Sequence, residues 1–209
     1  MKILFADTET TGLSPKPGMH EIVQVGGIIT EGRTALESVS VKSQPINWDK
    51  ISQQALDVTN LTVEKLKTYS KPADAFNEFY NVIKKHIIPG TKIKLAGQNI
   101  KFDIRFMNLW WNTWKSPEIP TFDHVFDISN PYELMDITKP LKSMGILLVD
   151  NVKLGTVASA LMIQPNGDLH DAMTDIDLTY RTMFDLIDRI NWLNNEDISK
   201  KFDKFMNLR

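Results

Sequence analysis

The sequence predicts an α/β fold with a mixed central sheet, its first three strands forming a meander, flanked by α-helices. Two observations carry this. Three short apolar or β-branched segments come first in the chain, and helical periodicities alternate with further strand-like runs after them.

Strand one is Ile3-Leu4-Phe5-Ala6, a short apolar run closed by polar residues, which suits a strand covered on both faces. Residues 21–29 are β-branched and broken only by Gly26 and Gly27, and residues 39–41 alternate ahead of Pro45, so two more strands follow. Short helices are expected over residues 51–66, with Thr59, Asn60 and Thr62 as caps or turns. Ser70 is placed as the N-cap of a helix carrying Ala73, Phe76, Phe79, Tyr80 and Ile83 up to Pro89-Gly90. Residues 92–98 read as a strand, and a helix runs from Asn99 through Phe102, Phe106 and Trp110 to a point before Pro117. Residues 122–128 predict a short strand leading into a turn at Ser129-Asn130-Pro131. Helical pieces at 140–145 and 154–162 precede a long amphipathic helix marked by Ala172, Ile176, Tyr180, Met183, Ile187 and Ile190. The expected division is one domain, residues 1–190, and a C-terminal helical tail, residues 191–209. In that tail Ile198, Phe202 and Phe205 share one side, which either folds back or docks a partner.

At 209 residues and 42% hydrophobic, the chain can bury one sizeable core. No run approaches the roughly 20 apolar residues of a membrane helix, and the short opening run soon meets Asp7 and Glu9, unlike a signal peptide. A membrane is therefore not an expected partner. The lack of cysteine excludes disulfides and thiolate metal sites and fits a cytoplasmic setting. A formal charge of −2 is low for a phosphate binder, but two divalent cations held by carboxylates would bring it to +2.

The sharpest chemical feature is Asp7-Thr8-Glu9-Thr10-Thr11-Gly12-Leu13. Residues two apart in a strand share a face, so Asp7 and Glu9 present two carboxylates side by side. Their repulsion calls for a proton or a hard cation such as magnesium or manganese; taken alone, the pair reads equally well as a solvated strand end. The second piece is Asn99-Ile100-Lys101-Phe102-Asp103, where Asn99 caps a helix and Asp103 lies one turn inside it; alone, that acid is a dipole partner. The third is His170-Asp171-Ala172-Met173-Thr174-Asp175. Five helical steps rotate by about 500°, so His170 and Asp175 meet only if the histidine lies in the loop before the helix.

These three segments, in this order, resemble the motifs of the DEDDh 3′–5′ exonucleases, the DnaQ-like group that includes bacterial proofreading subunits, RNase T and oligoribonuclease. DTETTGL is similar to the first motif, NIKFD to the second and HDAMTD to the third, with further similarity in HEIVQVGGI, ISQQALDVTNLT and KLGTVASAL. The likeness spans roughly residues 3–187. It departs at Gln98, where many relatives carry histidine.

The resemblance implies an RNase H-like fold and a two-metal mechanism in which Asp7, Glu9, Asp103 and Asp175 hold two Mg2+ or Mn2+ ions and His170 is the general base. It implies that Thr8, Thr10, Thr11, Gly12 and Leu13 meet the terminal nucleotide, with Leu13 wedged against a base. Phe102 is placed as a stacking face or core residue, and Asn99 as a helix cap or substrate contact. The expected partner is a nucleic acid 3′ end, DNA ahead of RNA, with a polymerase or other replication or repair protein as a further expectation. An RNase H-like endonuclease shares the carboxylate logic but not the histidine-to-aspartate spacing. A non-catalytic binding module predicts missing acids, and all four are present.

Overall fold

The computed structural model describes residues 1–193, 196–206 and 208. Its sheet has five strands in the order β3-β2-β1-β4-β5. β1 (Lys2–Thr10), β2 (Ile22–Glu31) and β3 (Thr34–Lys42) form the expected antiparallel meander, while β4 (Ile93–Gly97) pairs parallel to β1 and β5 (Phe126–Glu133) parallel to β4. The helices are α1 (Gln53–Thr59), α2 (Val63–Leu66), α3 (Pro72–Ile83), α4 (Ile100–Trp114), α5 (Phe122–Val125), α6 (Met135–Ser143), α7 (Leu154–Ala160), α8 (Ala172–Trp192), α9 (Glu196–Lys201) and α10 (Asp203–Met206).

β1 is apolar on both faces because both are covered. Leu4 and Ala6 join Phe76, Phe79, Trp110 and Trp111 of α3 and α4 in one core; Ile3 and Phe5 join Ile176, Met183 and Ile187 of α8 in the other. The strand therefore ends between two helices approaching from opposite sides. Trp110 and Trp111 are buried, and Trp114 is half-buried at the edge of the same cluster. Among the described residues no helix is long and apolar enough to cross a membrane.

Glycines set how closely the helices approach. A Cβ at Gly26, the ladder partner of Asp7, would lie 2.7 Å from Ile176 Cδ1 and 3.4 Å from Ala172 Cβ, so the first turn of α8 rests on bare backbone. A Cβ at Gly97 would lie 2.9 Å from the Ala6 carbonyl oxygen and 2.8 Å from Ile100 Cδ1. The junction between β4 and α4 is pressed against β1 in this way.

Several expectations need correction. The N-cap of α3 is Lys71, with Pro72 at the first helical position, where a missing N–H costs nothing; Ser70 instead pairs with Ser43 and accepts from the Gln44 amide. Asn99 occupies the N-cap position of α4, but its φ is 58° and its side chain makes no cap hydrogen bond. Residues 122–125 are helical, and β5 starts only at Phe126. Ser129-Asn130-Pro131 interrupts β5 without ending it: Lys94 pairs with Asp127 and Ala96 with Tyr132, so the intervening residues bulge from the ladder. The helix expected at 140–145 begins at Met135 and holds Pro140 in its interior, closing before Gly145 at φ 70°. Residues 194, 195, 207 and 209 of the tail lie outside the described residues. Phe202 and Phe205 are buried in the α8-side core, with Lys204 across the Tyr132 and Phe205 rings, so these two phenylalanines are not presented to a partner.

Gly97→Ala is expected to cost about 1–3 kcal/mol, because the Ala6 carbonyl belongs to a paired strand and cannot yield. Gly155→Ala, whose new Cβ would meet only Leu169 at 3.5 Å, is expected to be neutral or mildly stabilising. Urea unfolding of both variants checks this; equal midpoints would show that the β4–α4 junction is not close-packed.

Candidate active site

Three distant stretches of chain meet at the end of β1. Asp7 and Glu9 continue the face of Ile3 and Phe5, which places them on the side covered by α8; Glu9 is buried and Asp7 half-buried. The strand is distorted here, with a register shift between Glu9 and Thr10.

Asp103 arrives on α4 from the opposite side. It is 3% exposed, and its Oδ1 accepts hydrogen bonds from the Thr8 amide at 3.0 Å and the Thr8 hydroxyl at 2.7 Å. The acid is thus latched to the one residue lying between Asp7 and Glu9. Behind it, buried Glu133 accepts from the amides of Asn99 at 2.7 Å and Met135 at 3.1 Å, bracing the turn into α4. Gln98 donates to the Val152 carbonyl, tying the same turn to the segment before α7.

The third stretch has the predicted geometry, with exposed His170 in the loop and Asp175 in the first turn of α8. Asp171 is the N-cap: its Oδ1 accepts from the amides of Met173 and Thr174, and its Oδ2 accepts from Gln24 Nε2 at 3.0 Å. Gln24 is the ladder partner of Glu9, so β2 fixes this loop beside β1. His170 has a φ of 67°, a region that non-glycine residues occupy at a cost, and its amide donates to Asp175 Oδ2 at 3.3 Å. A carboxylate oxygen of Glu9, one of Asp175 and an imidazole nitrogen of His170 all lie within 4.8 Å of one another.

Charge dominates this site. Burial, then repulsion from Asp103, Glu9 and Asp175, raises the Asp7 carboxyl well above its ordinary range. Burial and the Asp175, Asp103 and Asp171 charges push Glu9 up to about 8. Burial takes Asp103 to about 7 against the two Thr8 hydrogen bonds, and raises Asp175 against the His170 amide. Among the described residues no lysine or arginine pairs with any of the four. Asp175 Oδ1 is buried without a hydrogen-bond partner. Hard oxygen donors, one orphaned, with an imidazole alongside and no basic partner, form a set that fits divalent cations.

The hydroxyls of Thr8, Thr10 and Thr11 are engaged within the chain. The hydroxyl of Thr8 is spent on Asp103, that of Thr10 donates to the Gly12 carbonyl at 2.7 Å, and that of Thr11 accepts from the Glu21 amide at 2.9 Å. Gly12 lies flat on the ring of His20, where a Cβ would come within 2.5 Å, and His20 Nδ1 accepts from the Ser14 amide. Leu13 is 76% exposed and, with half-buried Phe102 and Ala55 and exposed Val58, borders a cavity of about 200 Å3 beside Glu9. His20 and Gln24 lie in the similar stretch HEIVQVGGI and α1 in ISQQALDVTNLT, but sequence reasoning gave none of them, nor Glu133, a role. None had a local signal, whereas Asp171, directly before an apolar helical run, had the N-cap signature.

Residues 4–183 match the family described as Exonuclease, RNase T. Among solved structures, the zinc-bound form of the Escherichia coli exonuclease I complex with single-stranded DNA is 18% identical, with a TM-score of 0.69 over 94% of this chain and 44% of that one. E. coli exonuclease I with a dT13 oligonucleotide is 18% identical, with a TM-score of 0.67 over 94% and 45%. A moderately thermophilic exonuclease I from Methylocaldum szegediense is 21% identical, with a TM-score of 0.66 over 87% and 39%. The chain spans under half the length of these structures. No curated protein matches it. At these identities the likeness shows the fold, the RNase H-like arrangement of a mixed sheet between helices. With the family match covering residues 4–183, the chain belongs to the RNase T exonuclease family, whose DEDDh-type motifs its three acidic segments resemble.

Proposed function

We propose that this chain is a metal-dependent 3′–5′ exonuclease that removes 5′-mononucleotides from single-stranded or frayed DNA ends. The observation that carries the reading is the convergence of Asp7, Glu9, Asp103 and Asp175, with no basic partner, beside the exposed imidazole of His170. These four acids would hold two divalent cations, Mg2+ or Mn2+, which when bound supply neutralising charge at the phosphate and acidify water. The exonuclease I complexes hold single-stranded DNA, which supports DNA as the substrate.

The residues of the chain do the rest. The terminal nucleotide occupies the cavity between Leu13, Phe102 and α1, near the backbone of Thr10, Thr11 and Gly12, with the side chain of exposed Asn99 free of any cap bond and open to substrate. Stacking on Phe102 is worth about 1–3 kcal/mol per base. A water attacks phosphorus as its proton passes to an imidazole nitrogen of His170, the bond to the upstream 3′ oxygen breaks, and that oxygen takes a proton from solvent to become the new 3′-hydroxyl. Thr8 holds Asp103 in place, and the Asp171 cap together with Gln24 holds the His170 loop.

Asp7→Asn and Asp175→Asn are expected to abolish hydrolysis of a labelled single strand in Mg2+. His170→Ala is expected to slow it by about 10²–10⁴ while calorimetry still detects cation binding. Near-normal rates in any one of them would remove that residue from the mechanism. A circular single strand is expected to survive, and its prompt cleavage would end the claim of end-dependence.

The electrostatics add a pH prediction. Glu9 and Asp103 have folded-state values above their ordinary ones, so the folded metal-free chain binds protons more tightly than the unfolded chain. Their stabilising contribution is complete at low pH and is lost as pH rises through about 7 to 8. With EDTA, Tm should therefore fall between pH 5.5 and 8.5, by about 2–4 °C for each kcal/mol lost. Added Mg2+ should restore it and release protons into a weakly buffered solution. A flat Tm, unmoved by Mg2+ at pH 8.5, would remove the cations from the account.

A further inference from the structure

A second cavity, of about 420 Å3, is lined by His170 and Asp171 of the loop before α8. The two share Thr59. Glu9 lines the first and His170 the second, and a carboxylate oxygen of Glu9 and an imidazole nitrogen of His170 lie within 4.8 Å of each other. A strand with its last base beside Leu13 and its scissile phosphate at the acids must continue somewhere. The second cavity is the adjoining space.

Its chemistry suits the continuation. Lys42, at the end of β3, and Lys65, on α2, both line it and both are exposed. Among the described residues neither ammonium is held in an ion pair. The Lys42 ammonium lies over the ring of buried Tyr69, 5.7 Å from its centroid, which keeps one positive charge at the cavity wall. The nearby Asp171 carboxylate is satisfied by two amides and Gln24.

We propose that this cavity seats the nucleotide immediately upstream of the scissile bond, with Lys42 and Lys65 contacting its phosphate. The site rests on the exonuclease reading given above and extends it, because grip on the strand is separated from chemistry. Lysine contacts to phosphate are point-charge contacts, and each one neutralised on a single strand contributes about 0.7 to the slope of log affinity against log salt.

The test pairs Lys42→Ala/Lys65→Ala with two substrates. One is a single-stranded oligonucleotide; the other is the p-nitrophenyl ester of thymidine 5′-monophosphate, which has a cleavable phosphodiester but no upstream nucleotide. For the oligonucleotide, KM should rise about tenfold with kcat within twofold, and Lys42→Arg/Lys65→Arg should recover most of the loss. For the ester, kcat/KM should be unchanged. Fluorescence anisotropy with the strand and Asp7→Asn protein, with and without the lysine changes, measures grip without turnover; the salt slope should fall by about 1.4 for two contacts. An unchanged oligonucleotide KM, an equal loss on both substrates or an unaltered salt slope would overturn the proposal. Wild-type protein that binds the strand through these lysines but hydrolyses neither substrate would instead overturn the exonuclease reading.

Discussion

The structure is organised around one electrostatic constraint: four carboxylates are brought together, Glu9 and Asp103 buried and Asp7 and Asp175 half-buried. Each unit by which a carboxyl is raised corresponds to about 1.36 kcal/mol of unfavourable interaction in its charged form, and every one of the four is raised. No single element could hold such a cluster. It survives because the acids sit on separate, independently packed parts: β1 in the middle of the sheet, α4 fixed by its aromatic face to one core, and α8 fixed along its apolar stripe to the other. Packing far from the site offsets repulsion within it.

Two devices convert that packing into position. Absent side chains let the helices come close: α8 lies on Gly26 through Ala172, and the start of α4 lies on Gly97. Directed hydrogen bonds then set the final placement, from Thr8 to Asp103 across 95 positions of sequence and from Gln24 to Asp171 across 147. Those latches form only once the sheet and both helices are assembled, so the site is a late product of the tertiary fold. The left-handed backbone at Asn99 and His170 marks the two loops where this assembly strains the chain.

How much of this was legible in the sequence follows from the range of the interactions. The meander, the central strand ending in two acids, and the long helix carrying Asp175 were readable because period-two and period-3.6 patterns are local. The rotation per residue required His170 to lie before its helix if it was to meet Asp175. What was misread depended on distant partners. Ser70 looks like a cap until Gln44 claims its carbonyl, and Ser129-Asn130-Pro131 looks like a turn until β4 pairs on both sides of it. His20 opens the similar stretch HEIVQVGGI, but its support of Gly12 across a loop has no local pattern.

The overall charge shows why composition was the weakest guide. A formal net charge of −2 gives no hint of attraction to a polyanion, yet charge here acts locally. Acids crowd the site, where two divalent cations would neutralise them, and Lys42 and Lys65, held in no ion pair among the described residues, line the cavity beside His170. On the proposed reading a strand meets apolar and aromatic groups at its last base, divalent charge at the bond to be cut, and lysine one nucleotide upstream. On that proposal, the local arrangement of these surfaces, more than their summed charge, is what lets a slightly acidic chain take hold of a nucleic acid by its end.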